Sequence, residues 1–231
     1  MSLSNFSKNS TEAGFTLVEI AIVLVIIGLL LGGVLKGQEM ITQAKIKNIV
    51  NDFNGITVAV TSYQDRYRAI PGDDLNATTR WTVQNPASGN GNGIIAGLYN
   101  ALPGAGAPTS AAESNLFWQH LRIAGFVPGL TTGAGSGTQP TNAAGGMIGV
   151  ESGAPGTNGL GFTSLIVCFA NLPEKVASAV DGQMDDSNPA TGQIRGQLQG
   201  TANPPTASDA GGAATAYVET GVNQYLLCKN L

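Results

Sequence analysis

The chain has 231 residues, of which 32 are glycine, 11 are proline and 11% are charged, and its formal net charge is −4. Glycine and proline together stay below the roughly 25–30% of a low-complexity chain, and glycine does not recur at every third position, which excludes full disorder and collagen. The acidic balance gives no basic footprint for nucleic acid, and one histidine with two distant cysteines leaves no Cys/His zinc cluster. The length allows one or two domains with a sizeable core.

The first distinctive segment is apolar. Residues 15–35 carry a single charge, that of Glu19. As a helix they would be about 30 Å long, which is the thickness of the hydrocarbon core of a bilayer. A signal peptide and a buried core helix are the alternatives, but no Ala-x-Ala cleavage pattern follows at Lys36. The segment therefore predicts a retained transmembrane helix.

The next segment, residues 36–70, is amphipathic. Its apolar residues recur at alternating steps of four and three, which is one stripe of a helix. Because no proline precedes Pro71, the two segments predict one helix of about 50 residues that ends at Ile70-Pro71-Gly72. The stripe consists of Ile49, Phe53, Ile56, Val60, Tyr63 and Tyr67.

Four glycines interrupt the apolar half, at Gly28, Gly32, Gly33 and Gly37. They form two Gly-x-x-x-Gly pairs, which allow another helix to approach closely. Each also weakens a helix by about 1 kcal/mol relative to alanine. A packing face and a locally melted segment are both open interpretations.

The junction Gly14-Phe15-Thr16-Leu17-Val18-Glu19, followed by an apolar helix, resembles type IV prepilins and the pseudopilins of type II secretion systems. The resemblance is specific over residues 13–40. It implies that a prepilin peptidase removes a leader, residues 1–14, by cutting between Gly14 and Phe15, and that the new amino terminus at Phe15 is methylated. It also implies an inner-membrane assembly platform and a helical homopolymer of identical subunits.

Glu19 lies in the apolar part of this helix. A carboxylate there costs about 2.5–3.5 kcal/mol on insertion scales and normally has a partner or a function. The resemblance implies that it neutralises the amino terminus of a neighbouring subunit, that of Phe15, and so sets the stagger between subunits. A hydrated glutamate at the membrane interface is the alternative. Lys36 stands where many pilins have a proline, so we expect no proline kink, and the glycines from Gly28 to Gly37 become the candidates for melting in a filament.

Residues 71–231 predict a carboxy-terminal head. A capping box at Ser110–Glu113 predicts a helix over 114–124 with Gly125 at its carboxyl end, and a second short helix is expected over 173–180. Segments 165–169, 192–198, 216–220 and 223–227 predict strands, and 84–109, 128–146 and 199–215 predict long loops rich in glycine. The expected fold class is α+β, with the long helix packed on a small antiparallel sheet, as the resemblance also implies.

Cys168 and Cys228 are the two cysteines of the chain. An even count in an oxidising compartment favours a disulfide over two buried thiols, and pilins often have one near the carboxyl end. A bridge closing a loop of about 60 residues would stabilise the fold by about 4 kcal/mol in the chain-entropy model.

The acidic loop with Asp181, Asp185 and Asp186 brings together oxygen ligands that suit calcium, the one cofactor considered. The loop lacks EF-hand spacing, and solvated turn carboxylates are the alternative. Some major pseudopilins bind calcium in a carboxy-terminal loop, although this loop does not align with theirs residue by residue.

The sequence offers no motif of an enzyme. We expect His120 to be packed or at the surface rather than a base, and Gly89–Gly93 to be a flexible turn. The interpretation is therefore a subunit of a type IV pilus-like filament, held in the bacterial inner membrane and then assembled at the cell surface. A pseudopilin of a secretion or DNA-uptake system, in a periplasmic filament, is the first alternative. A membrane-anchored binding protein or adhesin that does not polymerise is the second.

Overall fold

A computed structural model of the chain describes residues 14–102, 112–153, 159–199 and 214–231. The helices are α1 (Leu17–Tyr67), α2 (Ala77–Arg80), α3 (Glu113–Ile123) and α4 (Glu174–Met184). The strands are β1 (Ile148–Ser152), β2 (Leu165–Pro173), β3 (Ile194–Leu198) and β4 (Gln224–Asn230). The chain divides into two compact units, one up to Gln43 and the other from Ala44 onward.

The amino-terminal unit contains the apolar part of α1. Among the described residues, α1 is the one helix long and apolar enough by composition to cross a membrane. Its large apolar side chains are exposed, including Leu17 and Leu35. Exposed apolar side chains on a continuous helix are what a lipid-facing or helix-facing segment requires.

The four glycines of this segment lie inside the helix. A Cβ atom added at Gly28, Gly32, Gly33 or Gly37 would meet no other atom within 4 Å. The close approach that these glycines permit is therefore not used within the described chain. Lys36 continues the helix, and its ammonium group pairs with Glu39 at 2.7 Å.

The carboxy-terminal unit begins with the amphipathic part of α1. The predicted stripe is buried from Ile49 to Tyr63, and the ring centroids of Phe53 and Phe169 lie 3.8 Å apart. The helix ends at Tyr67, three residues before the expected end at 70. Arg68 has a φ of 53°, a left-handed conformation that stops the helix before Pro71 can do so.

The sheet has four antiparallel strands in the order β1-β2-β4-β3. One face packs on α1 through a core that includes Val150, Val167 and Leu227. The other face carries a second core that includes Tyr99 and Phe162. The structure thus confirms the α+β class and the packing of the long helix on a small antiparallel sheet.

The observed strands differ from the predicted ones in two places. Strand β1 was not predicted, because Gly149 interrupts its short apolar pattern. A Cβ atom at Gly149 would overlap the carbonyl oxygen of Tyr99, so glycine is needed where these segments cross. The predicted strand at 216–220 is wrong, since side chains bind its backbone: Val218 N–H donates to the Tyr225 hydroxyl at 2.8 Å, and Thr220 N–H donates to Glu174 at 2.9 Å.

The predicted helices are present with different starts. Helix α3 begins at Glu113 after Ala112, one residue earlier than predicted. The Glu113 carboxylate accepts backbone N–H groups of a distant loop, and the predicted capping box depends on Ser110, which lies outside the described residues. At its other end, Gly125 has a φ of 82° and Phe126 N–H donates to the Leu121 carbonyl at 2.9 Å, a Schellman motif. Helix α4 begins after Pro173 and continues to Met184.

Candidate processing and assembly site

Glu19 and Thr16 form a reciprocal capping box at the start of α1. Glu19 Oε2 accepts hydrogen bonds from the backbone N–H and from the hydroxyl of Thr16, both at 2.8 Å. The hydroxyl oxygen of Thr16 accepts the Glu19 N–H at 3.3 Å. The Thr-x-x-Glu pattern is a known signal for this motif. Thr16 was not among the site residues predicted from the sequence.

This geometry leaves half of the carboxylate open. Both bonds from Thr16 end on Oε2, and no described residue donates to Oε1. Glu19 is exposed, so Oε1 can accept a hydrogen bond from another chain. Thr16 fixes the side chain, and the second oxygen remains available.

The predicted cleavage position lies immediately before this motif. Gly14 and Phe15 precede the helix and are exposed, with Phe15 at 82% of its full exposure. A non-helical exposed segment is the form of backbone that a protease can reach. Phe15 is one residue from Thr16, so a new amino terminus there would lie beside the capping box.

Cys168 and Cys228 form the predicted disulfide. They are directly opposite each other on β2 and β4, the two central strands of the sheet. Both are buried in the core on the face away from α1. The bridge therefore joins the middle of the sheet across 60 residues of chain.

The three predicted calcium ligands come together in space. One carboxylate oxygen from each of Asp181, Asp185 and Asp186 lies within 4.8 Å of the others. Asp181 is fully buried, and its Oδ2 accepts the Tyr217 hydroxyl at 2.6 Å, whereas no described residue donates to its Oδ1. Burial raises the pKa of Asp181, although the hydrogen bond from Tyr217 opposes this, and the carboxylates of Asp186 and Asp185 raise it further. A buried carboxylate oxygen beside two more carboxylates fits a hard cation.

Other oxygens of this cluster already order the loop. Asp185 accepts the N–H of Ile194 at 2.9 Å, and Asp186 accepts the hydroxyl of Thr191 at 2.6 Å. These bonds bring the carboxylates together without a metal. The arrangement therefore also fits the alternative of solvated turn carboxylates.

Buried carboxylates hold the loops of the head by accepting backbone N–H groups. Asp73 binds the loop at Gly89–Gly93, which is therefore ordered rather than the flexible turn expected from its composition. Glu113, Glu151 and Glu174 act in the same way on other segments. The N–H donors are Gly91, Asn92 and Gly93 for Asp73, Asn90 and Ala96 for Glu113, Tyr99 for Glu151, and Thr220 and Gly221 for Glu174.

His120 is fully buried, which confirms the expected packed histidine. Its Nδ1 accepts the Gly72 N–H at 3.0 Å, and its Nε2 lies 2.9 Å from the carbonyl oxygen of Ala87. These partners assign the proton of the neutral ring to Nε2. Burial lowers the pKa of His120, so the ring is a neutral connector between two backbone segments.

The amino-terminal residues match a known sequence motif. Residues 9–35 match the prokaryotic N-terminal methylation motif. This motif is the prepilin-type signature of type IV pilins and pseudopilins, and it confirms the resemblance seen at residues 14–19. The motif supports a type IV pilin-like or pseudopilin subunit, a class of structural rather than enzymatic proteins. No curated protein matches the chain.

Proposed function

We propose that the chain is a structural subunit of a type IV pilus-like extracellular filament, assembled from the bacterial inner membrane through α1. The observation that carries the proposal is the open Oε1 of Glu19, which is held by Thr16 at the start of an exposed apolar helix. A simple membrane anchor has no need for an ordered carboxylate at this position, because a charge there opposes insertion.

The proposed sequence of events begins in the membrane. Prepilin peptidase cuts after Gly14 and methylates the new amino terminus at Phe15. The assembly platform then extracts the subunit, and Glu19 accepts the amino terminus of Phe15 from a neighbouring subunit. Apolar side chains of α1 pack on those of identical subunits, which replaces the lipid contacts that extraction removes.

The second candidate is a pseudopilin that forms a periplasmic filament in a type II secretion or DNA-uptake system. The acidic cluster at Asp181, Asp185 and Asp186 favours it, since the resemblance includes pseudopilins with calcium in a carboxy-terminal loop. The adhesin alternative is weaker, because an adhesin that does not polymerise has no use for Glu19.

Intact mass and amino-terminal sequence of material sheared from cells of the native host test the proposal. We expect abundant chain that starts at N-methylated Phe15. Processed chain found in the cell envelope and absent from the sheared material would favour the pseudopilin. Chain that still starts at Met1 would overturn both candidates.

For the acidic cluster we propose calcium binding, and thermal unfolding of the full chain in detergent tests it. Calcium at about 100 times its dissociation constant would stabilise the folded state by about 2.7 kcal/mol. We expect the unfolding midpoint to rise with calcium in the wild type but not in Asp185→Asn/Asp186→Asn. Asp65→Asn, at an exposed acid outside the cluster, is the matched control. An equal rise in the wild type and the double variant would show that calcium acts elsewhere.

A further inference from the structure

A groove in the carboxy-terminal unit opens beside α1. Its volume is about 300 Å³, and we call it the Asp52 groove. Trp118, Phe126 and Pro128 form much of its apolar wall, and Asp52 and Gly55 line it from α1. A Cβ atom at Gly55 would meet nothing within 4 Å, so the helix side of the groove is open. The hydrocarbon part of a side chain can therefore enter the Asp52 groove along α1.

Asp52 is the charged residue that lines this groove. Its side chain is half-buried and makes no hydrogen bond or ion pair with any residue that the structure describes. Burial raises the pKa of Asp52, with no donor to offset it. A partly desolvated carboxylate with apolar walls suits a cation on a hydrocarbon stem, such as a lysine side chain.

The same helix carries lysines that have no acidic partner among the described residues. Lys47 is exposed, and Lys45 is half-buried. With 3.6 residues per turn, Lys47 lies about 140° around α1 from Asp52, whereas Lys45 lies within about 20° of it. Lys47 and Asp52 therefore point to different sides of the helix, and Lys45 and Asp52 share a side.

Head-to-tail contacts distinguish these two lysines. In a polymer with head-to-tail contacts, each copy uses one surface toward the copy ahead and a different surface toward the copy behind. Lys47 and Asp52 satisfy this condition because they lie on different sides of α1. A contact between Lys45 and Asp52 would use the same side of the helix twice.

The axial spacing gives a second, independent criterion. Lys45 and Asp52 are seven residues apart along α1, about 10.5 Å. Lys47 and Asp52 are five residues apart in the same direction, about 7.5 Å. The pair of Lys47 and Asp52 therefore needs the smaller axial displacement between copies.

We propose that the Asp52 groove receives Lys47 of a neighbouring copy of this chain, and that this ion pair sets the subunit stagger together with Glu19. The inference rests on the proposed filament. The groove supplies apolar contact for the lysine stem, and Asp52 supplies the counter-charge. The occupant is thus a second copy of the chain rather than a small molecule.

Cross-linking of sheared filaments tests the pairing. In Lys47→Cys/Asp52→Cys, a short bismaleimide should link each copy to the next and give a ladder of multimers on a denaturing gel. The single variants should give no ladder, and Lys45→Cys/Asp52→Cys should give at least tenfold less. The native cysteines do not interfere, because both are buried in the disulfide.

Charge reversal provides a test that does not depend on cysteine. Lys47→Glu should lower the yield of filaments roughly fivefold, the factor that about 1 kcal/mol produces. Lys47→Glu/Asp52→Lys should restore the yield, and Lys45→Glu should leave it within twofold. No restoration, or a ladder from position 45 as strong as that from position 47, would overturn the pairing while the filament itself stands. A wild-type chain that forms no filament would instead refute the proposed function.

Discussion

The hydroxyl of Tyr63, in the last turns of α1, donates a hydrogen bond of 2.7 Å to the buried carboxylate of Asp74. Arg80 donates to the same carboxylate oxygen, and Asn76 N–H donates to the other at 2.9 Å. Asp74 therefore ties the end of the long helix to α2. Burial alone would raise the pKa of Asp74, but the bonds from Arg80 and Tyr63 outweigh it and lower the pKa.

We predict that Tyr63→Phe lowers the free energy of unfolding by about 1–2 kcal/mol at pH 7, because it removes one bond to a buried charge. The folded pKa of Asp74 lies below the unfolded value, so its stabilisation is present above about pH 4 and is lost as the pH falls through the folded pKa. Unfolding of the full chain in detergent from pH 7 to pH 2 measures both effects. Tyr67→Phe is the control, since the Tyr67 hydroxyl has no hydrogen bond to a described residue, and an equal loss there would contradict the prediction.

The contributions of two buried glutamates, Glu151 and Glu174, to the stability of the fold should change with pH in opposite directions. Burial raises the pKa of Glu151, against one N–H donor from Tyr99. Its folded pKa lies above the unfolded value, so stability is lost as the pH rises from about 4 through the folded pKa. Burial also acts on Glu174, but the N–H groups of Thr220 and Gly221 outweigh it and lower its pKa, which gives stability that is lost as the pH falls.

We therefore expect Glu151→Gln to remove a decline in stability with rising pH, and Glu174→Gln to remove a rise. The measurement is the slope of unfolding free energy against pH in each variant, which does not depend on any constant offset that the amide introduces. If the slope changed in the same direction for both variants, the opposite pKa directions given for Glu151 and Glu174 would be refuted.

Gly149 and Gly55 form a matched pair for the effect of a methyl group. Gly149→Ala should cost about 1–3 kcal/mol or more, because the new Cβ would overlap the carbonyl oxygen of Tyr99. Gly55→Ala should stabilise the chain by about 0.5–1 kcal/mol, because its Cβ enters open space on a helix. Thermal unfolding checks both, and a neutral Gly149→Ala would mean that residues 95–101 do not cross β1 at this point.

Thr16 should matter to assembly through Glu19. We expect Glu19→Ala to be processed after Gly14 but to form few or no filaments. Thr16→Val removes the hydroxyl bond to Oε2 while keeping the side-chain shape, so filaments should decrease and Thr16→Ser should restore them. Counts of sheared filaments, with processing followed by mass, provide the readout. Normal filaments from Glu19→Ala would refute the proposed role of Glu19, whereas normal filaments from Thr16→Val alone would refute only the positioning role of Thr16.

The sequence predicted best those features that repeat along one segment. The stripe from Ile49 to Tyr63 is visible because a helix buries every third or fourth residue, and 165–169 is visible because its apolar run is uninterrupted. The sequence failed where distant segments meet. Glu113 fits a capping residue by its local sequence, but its carboxylate binds the loop at 90–96. The need for glycine at position 149 depends on Tyr99, which is distant in sequence. Thr16 was within reach of sequence analysis, since Thr-x-x-Glu is a local pattern.

The position of β4 in the sheet determines the order in which the head can fold. Strand β4 follows β2 and β3 in the chain but lies between them, and among the described strands it is the one that pairs with β3. Strand β3 must therefore wait for residues 224–230 before it gains a neighbour. Cys168 must likewise wait for Cys228, 60 residues later. Completion of the sheet and closure of the disulfide therefore both depend on residues 224–230.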